Sequence, residues 1–310
     1  MKIGEEHTMN TCKVSVIIAT YNTADYLEEC LDSIFAQTLS DIEVVMIDDG
    51  STDNTEAIIR KYKEKHGNLV TRYQENRGAG NARNYGISIA RGEYMIFMDP
   101  DDKYPNEDCL EKMYQTAKEY NAMICGGNVL TNDHGIIKDR YHAGDGVISG
   151  VKNQIVHVKD YFYLYSHQRY LLETRFVKSN QILYANYQRY EDQVFTIKAL
   201  GVAGWFYELD YPVFEHRINH KELNMDYDMF LDVLKGFRDT INLICDYDMQ
   251  LMFEKNYVTF IKMYMSKISQ YVFHGNEEYN QVLEDINGLE KHSSWYDEKY
   301  LVTYESIINH

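Results

Sequence analysis

The first hundred residues alternate between short apolar runs and amphipathic segments, and this alternation limits the possible folds more than any other feature of the chain. The apolar runs are rich in β-branched residues, as strands are, and residues 26–37 carry apolar side chains at helical spacing. The predicted elements are, in order, strand 14–19, helix 26–37, strand 42–47, helix 55–65, strand 69–73, helix 81–90 and strand 93–98. Strands that alternate with helices predict βαβ units around a parallel sheet.

Polar clusters follow three of these strands, at Thr20–Asn22, Asp48–Asp53 and Asp99–Asp102. Ligands of parallel sheets bind beyond the carboxyl ends of the strands, so the three clusters are expected to form one site. Asp48 or Asp53 can also cap the helix that follows. The last cluster places three carboxylates in four positions, an arrangement whose repulsion and desolvation a hard cation such as Mg²⁺ or Mn²⁺ relieves. Taken alone, it also fits a solvated acidic turn.

The usual loops that bind a pyrophosphate are missing from the sequence. Neither a GxGxxG pattern after the first strand nor a GxxxxGK[ST] pattern occurs, and the glycine cluster at 78–83 has Arg83 where the third glycine belongs. A phosphate-bearing ligand is therefore expected to depend on a metal ion.

Composition excludes several classes of function. The chain has 310 residues, 48 acidic against 31 basic, and a net charge of −17, which argues against binding of nucleic acid or of an anionic lipid surface. Its five cysteines are scattered without a CxxC pair, as expected of buried thiols in a reducing cytoplasm. No run approaches the roughly 20 apolar residues of a spanning helix. We therefore expect a cytoplasmic protein, free or peripheral at the inner face of the membrane.

The polar clusters and their surroundings resemble a known family. Val14–Asn22, Leu31–Gln37 and Val45–Asp53 are similar to the start of a family 2 glycosyltransferase with the GT-A fold, and Asn76–Asn84 and Met98–Asp102 follow in the same order and spacing. The resemblance is close over about 14–114 and looser to about 217. It implies an α/β fold in which a Rossmann-like mixed sheet is flanked by helices. It also implies transfer of a sugar from a nucleotide diphosphate donor, usually a UDP-sugar.

The same resemblance assigns a donor pocket. It implies that Ala19, Thr20 and Tyr21 line the nucleotide, that Asp49 accepts a hydrogen bond from the uracil, and that Arg83 approaches the base or the diphosphate.

A metal site is implied beside that pocket. Asp101, in the family's DXD motif, corresponds to the main metal-linked carboxylate, while Asp99 and Asp102 contact the donor ribose, the sugar or the ion. The expected ion is Mn²⁺ or Mg²⁺. A histidine of the closing segment reaches the metal in some members of the family, and His216 and His220 compete for that role, with His216 preferred.

Glu191 and Asp192 open a helical pattern in the second half of the chain. Two carboxylates at a helix start can simply complement its dipole. In the resembling family, an acidic pair at this position supplies the catalytic base of inverting enzymes, so the resemblance implies Asp192 as the base and Glu191 as its assistant. Gln193 departs from the family pattern.

The predicted domains are a GT-A catalytic domain over 12–220 and a helical C-terminal region over 221–310. The catalytic domain divides into a nucleotide-sugar half, 12–128, and an acceptor half, 129–220. From Asp226 onward the sequence has helical apolar stripes, with short helices expected over 277–289 and 295–308. This region either packs on the catalytic domain, as an appendage, or mediates self-association or docking on a partner enzyme or a membrane edge.

These observations predict a metal-dependent inverting glycosyltransferase of cell-surface glycan synthesis. Its donor is a UDP-sugar, and its acceptor is a glycan, a glycolipid or a glycoprotein. The main alternative is a noncatalytic scaffolding or binding subunit of a glycosylation complex that keeps the fold. A nucleotidyltransferase, which also uses metal-binding aspartates on a Rossmann-like sheet, is a third possibility.

Overall fold

The computed structural model describes residues 12–139, 152–163, 166–219, 225–257, 260 and 277–288. Its elements follow the chain in this order: β1 (Val14–Thr20), α1 (Ala24–Phe35), β2 (Ile42–Asp48), α2 (Thr55–Lys65), β3 (Leu69–Tyr73), α3 (Ala79–Ile89), β4 (Tyr94–Met98), α4 (Cys109–Glu119), β5 (Ile124–Asp133), β6 (Ile136–Asp139), β7 (Gln154–His157), β8 (Tyr170–Glu173), α5 (Thr174–Ser179), α6 (Glu191–Ala203), β9 (Trp205–Ile218), α7 (Tyr227–Asp246), α8 (described over 250–257) and α9 (Glu277–Gly288). Two short 3₁₀ helices, Val158–Asp160 and His167–Arg169, precede β8. The predicted alternation of the first hundred residues is confirmed.

Over the described residues the strands form one mixed sheet of nine strands in the order β3-β2-β1-β4-β8-β5-β9-β7, with β6 added to β5. The first four strands are parallel to one another. Strand β8 enters antiparallel between β4 and β5, and β9 runs parallel to β5. The sheet is thus the predicted mixed one, and β8 and β9 bring the second half of the chain beside the βαβ units.

The central strand β1 divides the hydrophobic core into two layers. Its side chains alternate, so Val14, Val16 and Ile18 pack on one face of the sheet and Ile17 on the other, and all four are fully buried. Helices α1, α2 and α4 cover the first face and α3, α6 and α7 the second. Burial on both faces explains why β1 has almost no polar residue before its end.

The segment 129–150 begins as strand. β5 continues to Asp133, and a turn with His134 and Gly135 at positive φ leads into β6. Strands β5 and β6 therefore form a β-hairpin as far as residue 139, and residues 140–151 lie outside the described residues.

The helical C-terminal region packs on the sheet domain. Phe230 and Phe237 of α7 belong to the same buried cluster as Phe195 and Ile197 of α6. Tyr190, immediately before α6, lies against Gly236 so closely that an added Cβ would be 2.8 Å from the tyrosine Cβ. Helix α7 therefore forms part of the wall behind the start of α6, as expected of an appendage that packs on the catalytic domain. Helix α9 confirms the helix expected from 277, and the one expected over 295–308 lies outside the described residues.

All five cysteines are free thiols; four are buried and Cys12 is half-buried. Among the residues described above, no helix combines the length and the apolar character needed to cross a membrane.

Candidate active site

The three predicted polar clusters meet at the carboxyl ends of the parallel strands β1, β2 and β4. In the strand register, Thr20 at the end of β1 pairs with Asp48 of β2, and Ile18 pairs with Met98, the last residue of β4. The turns that follow these strands therefore start side by side, as the parallel arrangement predicts.

Arg83 of α3 joins this end of the sheet to the second half of the chain. Its guanidinium donates through Nη2 to Asp99 Oδ1 and through Nη1 to Glu191 Oε1, both at 2.8 Å. Arg83 is buried, and its guanidinium carbon lies 5.2 Å from the centre of the Tyr184 ring. A planar guanidinium can bind two carboxylates at once. Arg83 therefore holds the turn Asp99–Asp102 after β4, called the acidic turn below, against the start of α6. The arginine expected near the nucleotide is thus engaged in two ion pairs, one buried with Glu191 and one part-buried with Asp99.

Asp99 is held from both sides. Its Oδ1 accepts from Arg83, and its Oδ2 accepts a short hydrogen bond from Gln168. Burial alone would raise the pKa of Asp99, but the charges of Arg83 and His167 and the two hydrogen bonds outweigh it and hold the pKa well below its usual range. Asp99 is therefore an ionised carboxylate with both oxygens bound by protein groups.

Asp102 closes the other end of the acidic turn. Its Oδ1 accepts from the backbone N–H of Arg217 at 2.7 Å, and its Oδ2 lies 3.1 Å from His216 Nδ1. Burial raises the pKa of Asp102 to about 6, an effect that His216 offsets only in part and that the negative charges of Asp99 and Asp101 increase. The end of β9 is thus tied to the turn after β4.

The acidic turn fits a cation only in combination with a substrate. Among the described residues, no three His, Cys, Asp or Glu side chains form a ready-made metal site, and the predicted trio of Asp99, Asp101 and His216 is not assembled as one. The physical reason is that Arg83 and Gln168 hold Asp99, while His216 binds Asp102. Mg²⁺ usually binds one or two carboxylates together with substrate phosphates, and half-buried Asp101 fits that mode. His220 lies outside the described residues.

Glu191 and Asp192 form the first turn of α6, after Tyr190 in the left-handed region at φ 72°. Glu191 is buried and ion-paired with Arg83; burial and the charge of Asp192 raise its pKa despite the arginine. The Asp192 side chain is 27% exposed, and its Oδ2 lies 3.6 Å from His167 Nδ1. Of the two carboxylates, Asp192 is the one that a substrate can reach.

The predicted nucleotide-pocket residues occupy the ends of β1 and β2. Thr20 is buried with its Oγ1 2.6 Å from Thr23 Oγ1, Ala19 is half-buried, and Tyr21 is 47% exposed at the strand end. Asp49, expected at the uracil, here accepts three hydrogen bonds, from the Gln74 side chain and the backbone N–H groups of residues 77 and 78. Asp49 thus shapes the turn before α3, and its contact with uracil stays a prediction.

Asp53 caps two helices. Its Oδ1 accepts from the backbone N–H of Thr55, the first residue of α2, and its Oδ2 accepts from that of Ala24, the first residue of α1. This confirms its capping role and extends it to a second helix.

Three buried residues of the site were not identified from the sequence. His167 and Gln168 lie in the 3₁₀ helix before β8, and Tyr184 stacks on Phe195 at 4.1 Å between ring centres. The available signal was local: consecutive polar residues at 166–169 interrupt an aromatic segment and precede the apolar residues of β8.

Comparisons with known proteins agree with this geometry. Over 193 residues, 60% of its length, the chain is 34% identical to the poly(ribitol-phosphate) β-glucosyltransferase of Bacillus spizizenii, but the match spans only 29% of that relative. The structure of Staphylococcus aureus TarS 1–349 with UDP-GlcNAc superposes with a TM-score of 0.71 at 24% identity, covering 91% of this chain and 82% of TarS 1–349. The mannosyltransferase PcManGT of Pyrobaculum calidifontis, solved with GDP-Man and Mn²⁺, has a TM-score of 0.56 at 18% identity, covering 93% and 81%.

Both structural likenesses show the GT-A-type fold. The model of the family "Glycosyl transferase family 2" matches residues 15–182, more than half of the 310 residues, and this stretch contains β1 to β4, the acidic turn and β8. The chain therefore belongs to glycosyl transferase family 2.

Proposed function

We propose that this chain is a metal-dependent inverting glycosyltransferase that moves a sugar from a UDP-sugar to a glycan, lipid-linked or protein-linked acceptor in cell-surface glycan synthesis. One observation carries the proposal: Arg83 ties the carboxylate of Asp99 and the Glu191–Asp192 pair together at the carboxyl edge of the parallel strands. Ligands of such sheets bind at this edge, so a donor beyond β4 and an acceptor beside α6 would meet there. The glucosyl transfer named for the Bacillus spizizenii relative and the UDP-GlcNAc complex of TarS support a UDP-sugar donor.

In this proposal Asp192 is the general base. An oxygen lone pair of the acceptor hydroxyl forms the new bond to the anomeric carbon, while the bond from that carbon to the diphosphate oxygen breaks and its electron pair leaves with UDP. The hydroxyl proton passes to Asp192, and attack opposite the leaving group inverts the anomeric centre. The partial exposure of the Asp192 side chain supports its role as the base, since Glu191 is buried against Arg83.

A divalent ion would be held by Asp101 and by the donor diphosphate. Bound there, Mn²⁺ or Mg²⁺ would neutralise the charge that grows on the leaving UDP. Asp99 and Asp102 would act indirectly. Gln168 binds Asp99 and His216 binds Asp102, and the two aspartates thereby keep the turn that carries Asp101 in place.

The cytoplasm is the proposed setting, and the five free thiols support it. Which sugar and acceptor are used would depend on the acceptor half of the chain. The C-terminal helices remain the proposed surface for any partner enzyme or second copy.

The experiment is a turnover assay on a panel of UDP-sugars, including UDP-glucose and UDP-GlcNAc, with Mn²⁺ or Mg²⁺ and with water as the acceptor. We expect UDP release from at least one donor, and a loss of at least about 100-fold in kcat for Asp192→Asn. Asp246→Asn is the matched control, because Asp246 is exposed at the end of α7. Calorimetry should show that Asp192→Asn still binds UDP.

Two outcomes would overturn the proposal. Turnover by Asp192→Asn equal to that of the wild type would exclude Asp192 as the base. A wild-type chain that binds no UDP and releases none would favour the scaffolding subunit, and pyrophosphate release from UTP and a sugar phosphate would favour a nucleotidyltransferase.

A further inference from the structure

The 3₁₀ helix before β8 directs three consecutive side chains at three different carboxylates. This segment follows Ser166, which has a left-handed backbone at φ 65°. The pairs are His167 with Asp192, Gln168 with Asp99, and Arg169 with Glu208. Two of these contacts are hydrogen bonds, whereas His167 Nδ1 stands 3.6 Å from Asp192 Oδ2, just beyond hydrogen-bond length.

His167 is an unusual core residue. It is 2% exposed, and neither of its ring nitrogens forms a hydrogen bond with any residue that the structure describes. A buried polar group without a hydrogen-bond partner destabilises the fold, so chains seldom keep one without a use. The nearest carboxylate is that of Asp192, the base proposed above.

Aromatic rings fix the position of the imidazole. The centre of the His167 ring lies 5.7 Å from that of Phe97 and 5.6 Å from that of Tyr184, the latter in an edge-on arrangement. Because the ring is enclosed, the change that would close the 3.6 Å gap belongs to Asp192, whose side chain is partly exposed on the first turn of α6. Catalytic hydrogen bonds are often long without substrate and shorten when it binds.

We propose that His167 is the positioning residue of the base: its Nδ1–H donates to Asp192 Oδ2 when substrates are bound, and this directs Oδ1 at the acceptor hydroxyl. This inference rests on the proposed function, because it assigns His167 a role only if Asp192 is the base. His167 touches neither substrate nor metal in this scheme. It acts through Asp192, as an orienting group acts on the base in other hydrolase and transferase sites.

Three substitutions separate positioning from packing. An asparagine amide nitrogen falls near the place of Nδ1, a glutamine amide nitrogen nearer that of Nε2, and phenylalanine keeps an aromatic ring without a donor. With the best UDP-sugar of the panel, we expect His167→Phe to lower kcat by about 10- to 100-fold while KM for the donor stays within about twofold. His167→Asn should recover most of kcat, and His167→Gln should not.

A matched control is His157, which is exposed on β7, far along the chain from the base. His157→Asn and His157→Phe should leave kcat unchanged. Thermal unfolding of every variant gives the second readout, since a purely structural His167 would make kcat follow Tm and would favour phenylalanine over asparagine.

The possible failures are distinguishable. If the wild type turns over donor and Asp192→Asn does not, but His167→Phe keeps the wild-type kcat, the positioning role is overturned and the proposed function stands. Equal losses of kcat in His167→Asn and His167→Phe would likewise overturn the positioning role alone. If the wild type neither binds UDP nor releases it from any donor, the proposed function fails, and this inference fails with it.

Discussion

Arg83 and Glu191 are separated by 108 positions in the sequence, yet Nη1 of the arginine donates a hydrogen bond to Oε1 of the glutamate at 2.8 Å. The same guanidinium pairs with Asp99, so one buried cation neutralises a carboxylate from each half of the chain. The two halves of the site are therefore connected by a charge network as well as by the continuous sheet.

Replacing this arginine should cost stability as well as activity. Arg83→Met leaves the carboxylates of buried Glu191 and half-buried Asp99 without their ion-pair partner, and we expect the free energy of unfolding to fall by about 3–5 kcal/mol. Arg83→Lys should lose less, because an ammonium keeps the charge but cannot bind both carboxylates in the same fork. Urea unfolding measures both. Arg60→Met is the control, since Arg60 is 69% exposed in its pair with Glu56 and should cost at most about 1 kcal/mol.

If the proposed metal dependence is correct, removal of divalent ions should stop turnover without unfolding the chain. With excess EDTA we expect UDP release to cease and Tm to change little, because no three-ligand cage exists among the described residues. Asp101→Asn should raise the Mn²⁺ concentration needed for half-maximal rate by at least about tenfold, a loss of about 1.4 kcal/mol. A variant with the wild-type metal dependence would remove Asp101 as a ligand.

Glu43 gives a pH-dependent contribution to stability far from the site. It is buried on β2 and accepts hydrogen bonds from Ser15 Oγ and from the backbone and side chain of Arg91. Burial by itself would raise the pKa of Glu43, but these bonds and the charge of Arg91 hold the pKa below its ordinary value of 4.5.

Because the folded-state pKa of Glu43 is lowered, its ionised form stabilises the fold above about pH 4.5, and this contribution is lost as the pH falls through the folded pKa. Glu43→Gln should therefore lower the unfolding free energy at pH 7 by about 1–3 kcal/mol. The difference from the wild type should shrink in denaturant titrations as the pH falls below 4.5. A difference that does not change with pH would show that the charge of Glu43 contributes nothing.

Asp53 should be worth more than an ordinary helix cap. Its two oxygens each accept from the first residue of a different helix, so Asp53→Ala removes two caps at once, and we expect a loss of about 1–3 kcal/mol. Asp53→Asn keeps one acceptor oxygen and should lose about half as much. Equal stability of the two variants in urea would contradict the double role.

A substitution at Gly236 can test whether α7 supports the proposed base, Asp192. A methyl group there would lie 2.8 Å from Tyr190 Cβ, directly before Glu191 and Asp192, so Gly236→Ala should destabilise the fold by about 1–3 kcal/mol and lower kcat. An alanine in a helix is normally favourable, which makes the expected sign informative. Gly67→Ala, which meets no atom within 4 Å, is the control. A Gly236→Ala enzyme with wild-type kcat would show that α7 does not set the position of the base.

The local amino-acid pattern was enough to predict the order of strands and helices in the first hundred residues and the end of the sheet at which their polar turns meet. The predicted ranges 55–65 and 69–73 agree with α2 and β3 to the residue, because hydrophobic periodicity and strand composition are local properties. Glu191 and Asp192 also fall in the first turn of a helix, as their sequence pattern indicates.

The partners that these groups bind could not be predicted from local sequence. The ion pair of Arg83 with Glu191, the hydrogen bond from Gln168 to Asp99, and the approach of His167 to Asp192 all join residues of elements that are not adjacent in the chain. Each depends on where β8, α6 and α7 are inserted beside the parallel strands, and no local period encodes that placement. A buried arginine and a surface arginine look alike in sequence, since burial is decided by what the rest of the chain packs around them.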